Sequence, residues 1–378
     1  MDFNLTPEQE RLRKMVGDFA QSEIAPRARD IDRTGEFPLD NLGKMAKRGL
    51  LGIPFPSDYG GCGGDNVGYA LAVEEIGKVC ASTGFILGVH VMSAYCIHLF
   101  GNDRQKTGFL TPLSSGDKLG AFALTEPSTG SDASAMKTTA ALDGSEYVLN
   151  GEKCFVTSSG HAEIYIVFAV TDPSKGPRGV SAFIVSKGTR GFEFGRIEEK
   201  MGLRATSNGK LIFKDCRVPR DNLMGREGDG FKIALSAIDR GRTGIAALGV
   251  GIAQAALDSS KAYAKQRAQF GQPISDFQAI QFMIADMATE IEAARLLTYK
   301  ASWLADAGER FTKQASMAKL YASEVAMRAT INAVQIHGGY GLLKDLPIER
   351  YMRDAKALAI IEGTSELQRV IISRDELK

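Results

Sequence analysis

Cysteine and histidine are scarce in this chain, with five of the first and four of the second in 378 residues. Cys62, Cys80, Cys96, Cys154 and Cys216 are odd in number and share no CxxC pair or repeated spacing. Such a set reads as reduced intracellular thiols packed in or near a core, not as a disulfide frame. Among His90, His98, His161 and His337, only His98 comes near a cysteine, Cys96, and no second pair completes a zinc site, so no metal is assigned. A surplus of charge is also missing. There are 46 Lys and Arg against 45 Asp and Glu, a net charge of +1. A nucleic-acid binder needs a basic excess to neutralise phosphates, so no nucleic-acid partner is expected. The chain is 44% hydrophobic and 24% charged, which excludes global disorder. Long apolar runs are missing as well. The most apolar stretch, Gly84 to Gly101, is broken by His90, Ser93, Tyr95 and His98. It reads as a buried helix, so no membrane span is expected. Met1-Asp2-Phe3-Asn4-Leu5 has neither the basic nor the apolar part of a leader. The expected location is the cytoplasm of a bacterium or, for a mature chain, the mitochondrial matrix.

Glycine is what the sequence has in excess, 41 residues against an ordinary share of about 7%. The pattern around these glycines changes twice along the chain. Residues 1–115 are helical in period. Thr6-Pro7 with Gln9 reads as a capping box with Pro at the first helical position. Leu12, Met15, Val16 and Phe19 follow at helical spacing, and Pro26 is expected to end that helix. A glycine-rich loop, Gly60 to Gly64, precedes a second apolar helix around Ala70–Val79. Residues 116–225 are strand-like, with short β-rich runs between Tyr147 and Phe213, and with Asp143-Gly144 and Asn150-Gly151 as hairpin turns. Residues 226–378 return to the helical period. Phe277, Ile280, Ile284, Met287, Ile291 and Ala294 alternate steps of three and four, the seam of a bundle, which Ala315–Val334 continues. The expected architecture is an N-terminal all-α domain, a middle antiparallel β-barrel or sandwich domain and a C-terminal four-helix bundle, with the ligand cleft at the domain boundaries.

Four segments concentrate polar residues and glycines. Phe122 to Asp132 is rich in turn formers and lies where helix gives way to strand. In Gly151 to Thr157, Phe155 and Thr157 stand two apart on a strand and so share a face; this is either an ordinary cross-strand pair or a ring and hydroxyl offered to a planar ligand. Gln335 to Gly341 is either a helix C-cap or a place where a ligand approaches backbone closely. In Ala359 to Glu366, Glu362 follows three apolar residues and precedes Gly363-Thr364-Ser365. It is either a surface acid at a helix start or a buried carboxylate whose raised pKa suits a base.

Taken in order, Leu124-Thr125-Glu126-Pro127 with Gly130-Ser131-Asp132, Arg267-x-Gln269-Phe270-Gly271, Gln335-x-His337-Gly338-Gly339 and Ile361-Glu362-Gly363-Thr364-Ser365-Glu366 resemble the acyl-CoA dehydrogenase family. The resemblance runs from about residue 2 to residue 375 and is greatest to the short-chain, butyryl-CoA-type branch. It implies an FAD enzyme, a homotetramer built as a dimer of dimers, that dehydrogenates an acyl-CoA to the trans-2-enoyl-CoA and passes electrons to an electron-transfer flavoprotein. It implies Glu362 as the base. The alternative base position of the family falls on Gly241, which has no side chain to act. By the same carry-over, FAD is held by Phe122, Leu124, Thr125, Gly130, Ser131, Phe155, Val156, Thr157, Thr364, Ser365 and Glu366. Arg267, Gln278, Gln335, Gly338 and Gly339 reach the FAD of the neighbouring subunit. Ser131, Asp239, Arg242 and Gly363 meet the acyl-CoA. Ile361 stands where butyryl-type relatives usually have Tyr, which implies a branched, cyclic or bulkier short acyl group. Thr83 to Tyr95 contains no Arg or Lys, so a dicarboxylic acyl group is not expected, with His90 read as a packed histidine. The alternatives are an enoyl-CoA reductase running the same chemistry backwards and a non-catalytic acyl-CoA- or flavin-binding module; the longer oxidase branch fits less well.

Overall fold

Thr6 caps the first helix, α1 (Pro7–Phe19). Its hydroxyl accepts from the Gln9 N–H, and the Gln9 side chain accepts from the Thr6 N–H. Pro7 sits where a missing N–H costs nothing. The computed structural model describes residues 4–378; Met1 to Phe3, part of the N-terminal stretch read above, lie outside the described residues. Pro26 does not end the helical run. A single π-turn, Ala20–Ile24, widens the hydrogen bonding ahead of it, and α2 (Ala25–Thr34) begins with Pro26 in its first turn. The wide turn absorbs the clash that a proline makes with the carbonyl four residues back. A helix not named in the sequence reading, α3 (Leu39–Ala46), follows. The glycine-rich loop then folds onto its own approach: the N–H groups of Gly63 and Gly64 donate to Phe55 O at 2.8 Å and Ile53 O at 2.9 Å. A side chain on Gly61 would strike the Phe55 backbone, so that glycine is a close-approach residue.

The helices α4 (Asn66–Val79) and α5 (Ala81–Phe100) are buried along almost their whole lengths. Among the described residues, α5 alone is long and apolar enough to cross a membrane, and 83% of its apolar window is buried inside the fold. Two short helices, α6 (Asp103–Gln105) and α7 (Thr111–Ser114), lead to the strands.

These are β1 (Gly120–Ala123), β2 (Thr139–Asp143), β3 (Glu146–Val156), β4 (Ile164–Val170), β5 (Val180–Ser186), β6 (Phe192–Ile197), β7 (Gly209–Pro219) and β8 (Leu223–Met224). They form one eight-stranded sheet in the order β6-β7-β3-β2-β4-β5-β8, with β1 beside β4. Pairing is antiparallel except where β4 meets β1 and β2, which run parallel to it. Asp143-Gly144 is the β2–β3 turn, with Gly144 at φ 61°. Asn150-Gly151 is not a turn. It lies inside β3 at a shift of register against β7, where the Asn150 side chain is tied to Asp215 across the strands. A bulge and a hairpin use the same residue pair, and only the partner strand tells them apart.

The last part comprises α8 (Gly230–Gln266), a β9 (Ala268–Gln269) and β10 (Gln272–Pro273) hairpin, α9 (Gln278–Asp306), α10 (Thr312–His337), α11 (Ile348–Leu358) and α12 (Ser365–Glu376). Met287, Ile291 and Ala294 are the buried seam of α9. Two polar devices join this bundle to the first helices. Buried Glu74 of α4 accepts from Arg295 at 3.1 Å and from the Tyr299 hydroxyl at 2.8 Å. Asp306, at the end of α9, accepts the first N–H groups of α4, Asn66 at 2.7 Å and Val67 at 3.3 Å.

Candidate active site

The turn between α11 and α12 carries Glu362 in the left-handed region, φ 51°, followed by Gly363 at φ 96°. A non-glycine residue there costs on the order of 1–3 kcal/mol and persists only where its surroundings impose it. Here the Gly363 carbonyl accepts from Lys319 Nζ at 2.7 Å and from Gln368 Nε2 at 2.9 Å. The Ser365 N–H closes the turn onto Ala359 O at 3.0 Å. The Thr364 hydroxyl caps α12 by accepting the Leu367 N–H. Glu362 Oε2 is shut from solvent and has no hydrogen-bond partner among the described residues, and the same holds for the Ser365 hydroxyl. A Cβ placed on Gly241 would collide with Glu362 Oε2 and lie 2.7 Å from Met92 Sδ. The carboxylate therefore lies over a side-chain-free patch of α8. Burial pushes its pKa up to about 7, with the Lys319 and Arg242 charges pulling the other way. That value suits a base working near neutrality.

Asp239 and Arg242 face each other. Arg242 Nη1 donates to Asp239 Oδ1 at 2.7 Å, and the Thr312 hydroxyl donates to Asp239 Oδ2 at 2.6 Å. Arg242 is 4% exposed and acts electrostatically on Glu362, so it belongs to the surroundings of the carboxylate as much as to any ligand. Tyr69 of α4 is buried and feels the Glu362 charge; its hydroxyl occupies the space over Gly244.

A second assembly is built from β3 and the segment after β1. Leu124 O accepts from Lys153 Nζ at 3.1 Å, and Thr125 O accepts from the Cys154 N–H at 2.9 Å. These bonds put Thr125 alongside Phe155. Lys153, 0% exposed, is paired at 2.7 Å with Glu126, which also accepts the N–H groups of Lys137 and Thr138. The shared face expected for Phe155 and Thr157 does not survive. Phe155 has φ 55° at a second shift of the β3 register and is 63% exposed, while Thr157 is buried. Asn208 fixes both: its Nδ2 donates to Phe155 O at 3.1 Å and to Thr157 Oγ1 at 2.9 Å. The carbonyl of Phe155 can only accept, which sets the amide orientation. Val156 is buried, Phe122 is half-buried against Phe168, and Gly130 and Ser131 are exposed.

A third assembly is an open groove of about 470 Å³ lined by Arg267, Gly338 and Gly339 with Tyr263, His337 and Tyr340. Arg267 makes no ion pair among the described residues and lies over the Tyr340 ring. A Cβ on either glycine would meet open space, and Gly338 has φ 57°. Gln335 and Gln278 are exposed and do not line this groove; Glu366 is likewise exposed.

Asp354 of α11 links the first two assemblies. Fully buried, it accepts the Leu203 N–H at 2.6 Å, and so holds the loop that leads through Thr206 to Asn208. His90 is a core histidine. Its Nδ1 accepts the Gly120 N–H at 3.1 Å, so its Nε2 donates to Leu113 O at 3.1 Å, and burial pushes its pKa down to about 4. It offers no cation. All five cysteines are free. The sequence reading missed Lys319, Asn208, Asp354 and Tyr69 as parts of the site. None sits in a motif; each acts through a contact made by the fold.

A helical–sheet–helical chain with a shielded carboxylate on a strained turn, an exposed ring on a bulged strand and an open groove lined by Arg267, Gly338 and Gly339 defines a three-domain enzyme of α–β–α order. The chain belongs to the acyl-CoA dehydrogenase family: the N-terminal, middle and C-terminal domains of acyl-CoA dehydrogenases match residues 6–117, 121–216 and 228–377. Enzymes of this family depend on FAD. The chain is similar to the solved butyryl-CoA dehydrogenase of Megasphaera elsdenii, 46% identical with a TM-score of 0.99 and both chains covered in full. It is equally similar in shape to a chain solved in work on the electron transferring flavoprotein of Acidaminococcus fermentans and flavin-based electron bifurcation, 50% identical, TM-score 0.99, both covered in full. It is 51% identical to the acryloyl-CoA reductase (NADH) of Anaerotignum propionicum over all of this chain and 96% of that protein.

Proposed function

We propose that this chain converts a short acyl-CoA thioester to its trans-2-enoyl-CoA, with Glu362 removing the proton from Cα. The observation that carries this reading is the shielded, unpartnered Glu362 Oε2. A buried acceptor left without a donor is costly, and a substrate C–H is the group that such an oxygen can work on. The left-handed turn sets the direction of the carboxylate, and Gly241 leaves it room. FAD, when bound, supplies the acceptor for the hydride from Cβ. The residues present fit that group. An exposed Phe155 ring suits a planar ring system. The Thr157 hydroxyl, whose oxygen accepts from Asn208, keeps its proton to donate. An unpaired guanidinium beside open glycine backbone suits a diphosphate. Phe122, Leu124, Thr125, Gly130, Ser131, Val156, Thr364, Ser365 and Glu366 complete the proposed FAD site in one subunit. Arg267, Gln278, Gln335, Gly338 and Gly339 serve the FAD of the neighbouring subunit in a homotetramer. Ser131, Asp239, Arg242 and Gly363 are assigned to the acyl-CoA. The proposed domain divisions lie near residues 115 and 225, and the proposed location is a bacterial cytoplasm or, for a mature chain, the mitochondrial matrix.

The electron partner we infer is an electron-transfer flavoprotein, a reading supported by the likeness to the Acidaminococcus chain. Half-buried Ile361 beside the base favours a branched or cyclic short acyl group. A second reading, reduction of a short enoyl-CoA, is favoured by the acryloyl-CoA reductase likeness and uses Glu362 as the proton donor. Anaerobic titration with straight, branched and alicyclic acyl-CoAs tests all of this. Bleaching of a yellow protein is expected, and Glu362→Gln should bind without bleaching. A colourless protein, or a bleaching E362Q, refutes the assignment. An optimum at butyryl-CoA refutes the acyl preference. Turnover with enoyl-CoA and reduced donor far above the forward rate selects the second reading.

A further inference from the structure

Lys319 is 0% exposed on α10, forms no ion pair among the described residues, and makes a single hydrogen bond, Nζ to Gly363 O at 2.7 Å. A buried cation is expensive unless its charge is used, and a core helix position could be filled more cheaply by an apolar side chain. The one bond it makes is to the residue that follows the proposed base. We propose that Lys319 is the positioning residue of this site: it pins the Glu362–Gly363 turn in its left-handed conformation and supplies the charge that lets the buried carboxylate ionise. The inference rests on the reading of Glu362 as the base.

Gln368 Nε2, 2.9 Å from the same carbonyl, is a neutral second donor, so pinning and charge can be separated. Among the described residues, the charged and titratable groups that act on or feel Glu362 are Lys319 from α10, Arg242 from α8 and Tyr69 from α4; α5 places Met92 Sδ at the same Gly241 position that the carboxylate covers. Arg242 is already committed to Asp239 at 2.7 Å. Among the described residues, Lys319 is therefore the cation acting on the carboxylate that has no carboxylate partner of its own. Glu366 and Glu324 act on Lys319 from farther along α12 and α10. Burial lowers the lysine pKa to about 8, so it is charged at neutral pH and the ionised Glu362 favours that charge.

The test is the pH profile of kcat/KM in the flavin-loaded enzyme for wild type, Lys319→Met, Lys319→Arg, Gln368→Met and Glu362→Gln, with melting curves for each. K319M should lower the rate at pH 7 by about 10–100-fold and move the acid limb up by about one pH unit, with KM little changed. Q368M should lower kcat without moving the limb. K319R should keep the limb with wild type. A folded K319M whose limb and rate both stay within twofold of wild type overturns the proposal. Where K319M does not fold, K319R decides: a limb that moves upward although the positive charge is kept overturns it, and a limb that stays supports it. An active E362Q refutes the base reading itself, whatever the lysine variants do.

Discussion

Gly241→Ala separates stability from activity in this site. Gly241 is an interior residue of α8 with no positive φ, so a methyl group there favours the helix by about 1 kcal/mol. The same methyl would overlap Glu362 Oε2 and crowd Met92 Sδ at 2.7 Å. Optimal contacts lie near 3.5 Å, so the carboxylate must retreat by about 1 Å. Both neighbours are the far ends of flexible side chains, so the fold survives and the cost falls on geometry. A displacement of that size at a proton-transfer centre costs up to about 100-fold in rate, or about 2.7 kcal/mol of barrier. The expected result is a kcat/KM on the best acyl-CoA reduced about 30–100-fold with a melting temperature equal to or above wild type. Removing the second neighbour should give the carboxylate room, so Gly241→Ala with Met92→Ala should recover part of the rate. Such non-additivity is expected of side chains in contact. Stopped-flow flavin bleaching and thermal melts on the same preparations provide both readouts. A G241A enzyme with unaltered bleaching rate would refute the placement of the carboxylate over α8. A rate lost only in step with the melting temperature would refute the separation.

Glu362 has its pKa raised in the fold, from 4.5 to about 7. The folded state therefore binds the extra proton, and its stability falls as pH rises through that window. E362Q removes the loss and should gain up to about 3 kcal/mol over wild type at pH 8 relative to pH 4.5, read from urea midpoints; an equal difference at both pH values would contradict the burial of the charge. Lys153→Met strands Glu126, which is 4% exposed, with only two backbone donors, and should cost about 3–5 kcal/mol. The double variant with Glu126→Gln should regain most of that in the same denaturation assay. Asn208→Ala removes the donor to Phe155 O and Thr157 Oγ1 and should weaken FAD retention about tenfold, measured by flavin release on dilution; unaltered retention would detach Asn208 from the proposed cofactor wall.

What could be read from the sequence and what could not divide along a physical line. Local rules that depend on one element survived: the Thr6–Gln9 cap, the Asp143-Gly144 turn and the three-four seam of α9 are properties of a few neighbouring residues. Rules that assume a regular element failed wherever the chain departs from it. Period two put Phe155 and Thr157 on one face, and a shift of register with a positive φ took them apart. Pro26 should have stopped a helix, and a π-turn passed the chain through. Asn150-Gly151 has hairpin chemistry, yet its strand continues because β7 pairs on both sides of the bulge. The residues that complete the site failed to show for a different reason. Lys319 is 43 positions before Glu362 and Asn208 is 51 after Thr157, and neither stands in a motif that tells a buried ammonium or amide from a surface one. Their partners are carbonyls and hydroxyls that every stretch of chain possesses, so only the fold selects them. The excess of glycine follows the same logic. Gly241 leaves space for a carboxylate, Gly61 admits another backbone and Gly363 tolerates a left-handed turn. Three distinct physical demands thus leave one identical mark in the sequence, and only the neighbours that each glycine meets tell them apart.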